Sequence, residues 1–148
     1  MASASRVGFC LDEACGRRVA EVLRAFRAPG APHIKDAREL GLSGATDEIL
    51  MRDLGKQGVA AMITLDSRIL NASLRRAAWR DSGLTLFVLD GKWGNLPLFE
   101  QVRRLMWWWP FFASKVSDGP QGAAWRRLSI SQPPPVLQFQ VAAGPECR

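Results

Sequence analysis

The chain has 148 residues, of which 47% are hydrophobic and 23% are charged, and its formal net charge is +6. This length and composition fit a single globular domain over residues 1–148, and they exclude a disordered or collagen-like chain. The three scattered cysteines, Cys10, Cys15 and Cys147, are too few for a disulfide framework, and with a single histidine they make a poor zinc site.

Strands and helices alternate from the start of the chain. Residues 6–12 predict a strand, and residues 14–26 predict a helix, because apolar residues recur there at helical spacing. Residues 33–37 then predict a short, half-exposed strand. The predicted core-facing positions of the helix are Val19, Val22, Leu23 and Phe26.

The middle of the chain repeats this alternation. Thr46 is a good N-cap for a helix over residues 47–56. Residues 59–66 form a continuous apolar run, which is typical of a strand buried on both faces. Ser67 is expected to cap a third helix, whose core face is predicted to contain Leu70, Leu74, Ala77 and Ala78.

The second half continues with another buried strand, predicted over residues 84–90. A fourth helix is predicted over residues 96–115, and Pro110 is expected to kink or end its regular part. A loop is expected from 117 to 122. Two further strands are expected in the tail, over residues 125–130 and 136–141.

Repeated alternation of strand and helix predicts a three-layer α/β/α domain with a mainly parallel central sheet. We expect its core within about residues 6–116, followed by a loop and C-terminal strands over 117–148. Right-handed crossovers would bring the carboxyl ends of the parallel strands to one edge of the sheet.

The sequence predicts neither a membrane span nor a membrane partner. The most apolar run, residues 105–113, is far shorter than the roughly 20 residues that a spanning helix needs. The first eight residues lack the apolar segment of a secretory signal. We therefore expect a cytoplasmic protein.

Three predicted strands end in Leu-Asp, at Asp12, Asp66 and Asp90. Ligands bind beyond the carboxyl ends of parallel strands, and Asp47 and Glu48 at a helix start can reach the same edge. Because gathered carboxylates repel one another, they need a cation to stay ionised together. Oxygen ligands without histidine or cysteine favour Mg²⁺ or Mn²⁺.

Such a cluster suits metal-assisted hydrolysis of a phosphodiester. Each aspartate by itself is equally explained as a helix cap. For Asp90, which precedes Gly91, a role in a turn is favoured over a role as a ligand. The convergence of Asp12, Asp47 and Asp66 favours a metal site for the set.

Several motifs in order resemble the PIN-like domain family, especially small bacterial relatives of VapC-type toxin nucleases. The motifs are Phe-Cys-Leu-Asp-Glu at 9–13, Gly-Ala-Thr-Asp-Glu-Ile-Leu at 44–50 and Ile-Thr-Leu-Asp-Ser-Arg-Ile at 63–69. The segments 90–97 and 105–110 also resemble the C-terminal part of that group. The resemblance covers about residues 6–116.

The resemblance implies a PIN-type fold and an endoribonuclease that uses Mg²⁺ or Mn²⁺. It also implies a toxin that a small antitoxin protein neutralises. Asp12, Asp47 and Asp66 would be the catalytic acids, and Glu48 competes with Asp47 as a metal ligand. The accessory candidates are Glu13 and Asp90.

Many PIN domains have a fourth acid soon after the third, but here Arg68 and Asn71 follow Asp66. The alternative is therefore a catalytically weak or inactive PIN-like module that binds a partner protein.

The positive charge lies entirely in the second half of the chain. Residues 1–66 hold 9 acidic and 9 basic residues, whereas residues 67–148 hold 5 acidic and 11 basic residues. Arginine beside exposed aromatic surface suits single-stranded RNA or a partner protein. A homodimer is a further candidate assembly. The candidate contact residues are Arg68, Arg75, Arg76, Arg103, Arg104 and Trp107. The alternative is that the three consecutive tryptophans at 107–109 all pack inside the domain and bind no partner.

Overall fold

The computed structural model describes residues 8–12, 15, 17–130 and 138–141. Its centre is a six-stranded sheet with the order β2-β1-β3-β4-β5-β6. The first five strands are parallel, and β6 is antiparallel to β5. The strands are β1 (Phe9–Leu11), β2 (Ile34–Asp36), β3 (Ala61–Thr64), β4 (Thr85–Leu89), β5 (Ala123–Leu128) and β6 (Gln138–Val141).

Four helices cover the two faces of the sheet, which confirms the predicted three-layer α/β/α architecture. One core cluster joins α1 and α4 to one face, and a second joins α2 and α3 to the other face. The helices are α1 (Arg17–Ala25), α2 (Asp47–Lys56), α3 (Ser73–Ser82) and α4 (Leu98–Asp118). Within the described part of the chain, no helix is long and apolar enough to cross a membrane.

Burial on both faces explains the uninterrupted apolar runs of the central strands. Every residue of β3 and β4 is buried. Ile63 and Phe87 point toward α1 and α4, whereas Met62 and Leu86 point toward α2 and α3. Fully burying one such side chain stabilises the fold by about 1.5–3 kcal/mol, so these strands anchor the sheet.

The third helix begins later than predicted. Ser67 does not cap it, because the chain first forms a turn over residues 67–70 and α3 begins only at Ser73. The guanidinium of Arg76 stabilises that turn by donating to the carbonyls of Leu70 and Asn71. Leu70 is buried as expected, but Leu74, which falls in the first turn of the shortened helix, is 69% exposed.

A further expectation about the helices is wrong. Phe26 lies beyond the end of α1 and is 69% exposed rather than facing the core. Of the two outcomes expected at Pro110, a kink or an end of the regular helix, the structure excludes the second, because α4 continues through Pro110 to Asp118 and takes up the start of the expected loop. Proline leaves the carbonyl four residues earlier without its helical partner, and that residue, Met106, is exposed to solvent.

A 3₁₀ turn over Gly91–Asn95, which was not predicted, connects β4 to α4. The Asp90 carboxylate accepts a hydrogen bond from the Lys92 amide at 2.9 Å, which confirms its expected role in a turn. The indole of Trp93 is fully buried and donates to the Leu128 carbonyl at 2.9 Å. The turn is thereby fixed to the end of β5.

The close packing of α2 against α3 depends on Gly55. A Cβ at this position would lie 2.8 Å from Ser82 Cα and 2.9 Å from Ser82 O. We expect Gly55→Ala to lower the free energy of unfolding by about 2 kcal/mol, because the two backbones must move apart. The control is Gly94→Ala, because a Cβ there would meet open space. In urea denaturation this variant should change the free energy of unfolding by less than about 0.5 kcal/mol. Equal effects of the two variants would contradict this packing.

Candidate functional site

The parallel strands all end at one edge of the sheet, which is called here the carboxyl edge. The strand order reverses beside β1, and this reversal creates a crevice at that edge. From β1 the chain passes through α1 to β2 on one side, and from β3 it passes through α3 to β4 on the other. The helices α1 and α3 pack on opposite faces of the sheet. A crevice of this kind is the usual ligand site of an open parallel sheet.

Three of the predicted acids converge in this crevice. Asp12 follows β1, Asp66 follows β3 by two residues, and Asp47 is the first residue of α2. Their side chains line one cleft of about 240 Å³, called here the carboxylate cleft. The convergence that the sequence analysis inferred from strand ends is therefore present in the structure.

Thr64 connects two of these acids, and the sequence analysis did not single it out. Its hydroxyl donates to Asp12 Oδ2 and accepts a hydrogen bond from the backbone amide of Asp66 at 3.0 Å. Its side chain is buried at the end of β3. A hydroxyl in an otherwise apolar strand, just before the Leu-Asp end, was the sequence signal for this role.

Asp12 is a half-buried residue in the lining of the cleft. Burial raises the pKa of its carboxyl, and the hydrogen bonds from Thr64 and from the backbone oppose that rise. One of these bonds comes from the Cys15 amide, which donates to Asp12 Oδ1 at 3.3 Å. The backbone amide of Asp12 itself donates to the Ile63 carbonyl, which ties the residue to the neighbouring strand.

Asp47 is placed by the N-terminus of α2, as predicted from Thr46. The Thr46 hydroxyl accepts a hydrogen bond from the Ile49 amide at 3.4 Å and caps the helix. Burial raises the pKa of Asp47, and the neighbouring negative charge of Asp66 raises it further. Arg75 acts in the opposite direction, and a hydrogen bond between the Asp47 and Asp66 carboxyl groups adds to the rise.

These groups can be compared with the needs of a divalent cation. Among the described residues, no three or more His, Cys, Asp or Glu side chains are close enough together to hold one metal ion. Mg²⁺ commonly binds through only one or two carboxylates and completes its shell with water and substrate phosphate. Two carboxylates of the cleft, Asp47 and Asp66, fit that requirement, because the charge of Asp66 acts on Asp47, and Asp12 adds negative charge in the same cleft.

The other predicted acids lie outside the carboxylate cleft or outside the described residues. Glu48 does not line the cleft, so the structure favours Asp47 over Glu48 for the second role. Asp90 caps its turn, and Glu13 lies outside the described residues. Asp36, at the end of β2, is a fully buried carboxylate that the sequence analysis missed, but the Arg38 guanidinium pairs with it at 3.1 Å.

Arg75 reaches the acids from α3. Its Nε lies 3.7 Å from Asp47 Oδ2 and 3.7 Å from Glu48 Oε1. Its Nη1 donates to the Arg68 carbonyl at 3.0 Å, which holds the guanidinium in place. Arg75 was predicted to contact RNA or a partner, and the structure places it as a counter-charge at the rim of the acidic cluster.

Three other predicted contact arginines have internal partners. Arg76 holds the turn before α3, and Arg103 and Arg104 both form ion pairs with Glu100 on their own helix. The guanidinium of Arg103 lowers the pKa of Glu100. Of the three consecutive tryptophans, two are buried and only Trp107 is half-exposed. Arg68 remains 79% exposed, with its Nε 3.8 Å from Asp66 Oδ1.

The described cysteines do not offer thiolate chemistry. Both Cys10 and Cys15 are buried and are not in disulfides, and burial raises the pKa of Cys10 to about 12. Cys147 lies outside the described residues.

Comparison with known proteins identifies the family. The family model described as "PIN like domain" matches residues 8–91, which is more than half of the 148-residue chain. The chain belongs to the PIN-like domain family. The matched segment includes Asp12, Asp47 and Asp66 and runs from β1 to the end of β4. No curated protein and no solved structure matches this PIN-like domain.

The raised pKa of Asp12 makes the stability of this PIN-like domain depend on pH. Without metal, the folded state holds the Asp12 proton more tightly than the unfolded chain does, so ionisation destabilises the fold. Protonated Asp12 therefore stabilises the fold at low pH. This stability is lost as the pH rises from the pKa of Asp12 in the unfolded chain, about 4, through its higher pKa in the folded state.

We therefore expect Asp12→Asn to become more stable relative to wild type as the pH rises from about 4 to about 7, in urea unfolding with a chelator present. Asp118→Asn removes an exposed carboxylate at the far end of α4 and is the control for the loss of one negative charge. If the difference in free energy of unfolding between Asp12→Asn and wild type did not change with pH, or changed in the opposite direction, the raised pKa of Asp12 would be contradicted.

Proposed function

We propose that the chain is a metal-dependent endoribonuclease, acting as a single domain, that hydrolyses RNA phosphodiesters with Mg²⁺ or Mn²⁺. The observation that carries this proposal is the convergence of Asp12, Asp47 and Asp66 in one cleft at the reversal of strand order. Membership of the PIN-like family supports nuclease activity at the family level.

In this proposal, Asp47 and Asp66 hold the cation, which supplies Lewis-acid charge for phosphodiester hydrolysis when it is bound. Asp12 adds negative charge to the cleft, and Thr64 fixes its orientation by donating to Oδ2. Binding of a cation also removes the repulsion that raises the pKa of Asp47. Arg75 remains at the rim, where its guanidinium balances the charge of Asp47 and Glu48.

We further propose that the protein is the toxin of a toxin–antitoxin pair and that a small antitoxin protein covers part of α4. Three large apolar side chains of this helix are exposed to solvent: Phe99 (75% exposed) and, two turns further along, Met106 (37%) and Trp107 (50%). Large aromatic side chains beside arginine are typical anchors of protein interfaces. A homodimer through the same apolar surface is the alternative occupant.

A second candidate function is a PIN-like module that binds a partner protein without cleaving RNA. It is favoured by the thin ligand set, since no three metal-binding side chains cluster among the described residues, and by the counter-charge that Arg75 already supplies. In this case the α4 surface around Trp107 would carry the biological effect and the carboxylate cleft would not.

The cleavage of RNA by the purified full chain with Mn²⁺ tests the first candidate. We expect Asp66→Asn and Asp47→Asn to lower the cleavage rate by about 100-fold or more, because each removes a ligand charge while an amide can keep the local turn. Asp118→Asn, which removes an exposed carboxylate far from the cleft, should cleave like wild type.

Expression of the same variants in bacteria separates the two candidates. The nuclease proposal predicts growth arrest by wild type and its loss in Asp66→Asn. The binding-module proposal predicts no Mn²⁺-dependent cleavage by wild type, and a growth effect that Trp107→Ser abolishes and Asp66→Asn does not. Equal cleavage by wild type and Asp66→Asn would show that the assigned site is wrong.

A further inference from the structure

A second cleft, of about 400 Å³, lies at the same carboxyl edge over the ends of β4 and β5. Three arginines line it, Arg68, Arg126 and Arg127, together with the Asn71 amide and Asp90. It is called here the arginine cleft. Arg126 and Arg127 were not among the predicted contact residues, because in the sequence they are two neighbouring residues of the strand predicted over 125–130.

An irregularity in the sheet brings both of these arginines into the cleft. Neighbouring residues of a regular strand point to opposite faces, so Arg126 and Arg127 should not line the same surface. On β4, a single residue separates Phe87 from Leu89, whereas on β5 two residues separate their partners Trp125 and Leu128. The extra residue makes a β-bulge, and bulges of this kind redirect side chains.

The backbone of Arg127 has the left-handed conformation, with φ of 57°. A side chain at such a position is uncommon and persists only where the surrounding structure holds it. Immediately after the bulge, the Leu128 carbonyl accepts hydrogen bonds from the Asp90 amide at 2.8 Å and from the Trp93 indole at 2.9 Å. These bonds fix the position of the bulge beside the cleft.

Of the three arginines in this cleft, Arg68 lies beside an acid, Asp66, and the other two leave their charges to a ligand. Within the described part of the chain, Arg126 and Arg127 form no ion pair, in contrast to Arg75, Arg103 and Arg104, which all have acidic partners. The Asp90 carboxylate is used by the turn amide of Lys92. Arginine guanidinium is the group best suited to bind phosphate oxygens in a bidentate manner.

The arginine cleft also continues directly from the carboxylate cleft. Asp66 lines the carboxylate cleft, and its Oδ1 accepts a hydrogen bond at 2.9 Å from the amide of Arg68, which lines the arginine cleft. Strand β5 lies two strand spacings from β3, or about 10 Å. A few nucleotides of a single strand can cover that distance.

We propose that the arginine cleft binds the phosphates of the RNA strand next to the phosphodiester that lies in the carboxylate cleft. This inference rests on the proposed function and names how the same site holds its substrate. Arg126 and Arg127 supply the main phosphate contacts, and Arg68 connects the two clefts.

The test is the binding of a fluorescein-labelled single-stranded oligouridylate to the full chain in EDTA, measured by fluorescence anisotropy over a range of salt concentrations. We expect the double variant Arg126→Gln/Arg127→Gln to bind about tenfold more weakly or worse at 0.1 M salt. The slope of log K against log salt should fall by about 1.4, since each phosphate contact on a single strand contributes about 0.7.

The matched control is Arg27→Gln/Arg80→Gln, which removes the same charge from exposed positions at the opposite edge of the sheet. Arg27 also has a left-handed backbone, with φ of 54°. This control should bind oligouridylate like wild type. Equal losses in both double variants would overturn the proposal, because the effect would then be one of net charge.

A charge-preserving variant, Arg126→Lys/Arg127→Lys, separates lost contacts from a distorted bulge. It should keep most of the binding, and a loss as large as that of the glutamine variant would overturn the proposal. Labelled poly-glutamate tests whether the cleft binds an acidic protein instead. The proposal would also be overturned if wild type bound poly-glutamate as tightly as oligouridylate and the glutamine variant lost both to the same extent. Because EDTA prevents metal-dependent cleavage, failure here is distinct from failure of the nuclease proposal.

Discussion

The hydrogen bonds of Thr64 are the constraint on which the carboxyl edge depends. Parallel pairing places Leu11 beside Ile63, so the residues that follow β1 and β3 come out of the sheet together. The Thr64 hydroxyl then orients Asp12 and receives the Asp66 amide. Because the Thr64 side chain is buried, its hydroxyl is held in place between the two acids, and removing it would take one hydrogen-bond donor from the half-buried Asp12 carboxylate. The position of the acids is thus determined by strand register and by one polar side chain in an apolar strand.

The electrostatics of this edge divides into two regions. Around the carboxylate cleft, burial raises the pKa of Asp12 and of Asp47, and the negative charge of Asp66 raises the pKa of Asp47 further, which Arg75 opposes. Around the neighbouring arginine cleft, the charge is positive and the bulge in β5 directs it outward. A phosphodiester with a divalent cation would complement both regions at once, since the cation meets the acids and the adjoining phosphates meet the arginines.

The sequence predicted the layers, the parallel sheet and the limits of α2, because continuous apolar runs and the Thr46 cap are local signals that burial and capping reinforce. It also predicted that Asp12, Asp47 and Asp66 would meet, since the ends of parallel strands share one edge. It could not predict the late start of α3, which depends on Arg76 holding a turn, or the bulge at Arg126 and Arg127, which depends on the register between β4 and β5. Both features arise from contacts made only in the folded chain.

The most direct test of the account is a calorimetric titration of the full chain with Mn²⁺ at several pH values. The account predicts binding at millimolar or lower Mn²⁺, weakened in Asp66→Asn, with proton release and an affinity that increases with pH, because the cation must displace protons from carboxyls of raised pKa. Absence of Mn²⁺ binding at millimolar concentrations, or binding that is equally tight in Asp66→Asn, would contradict it.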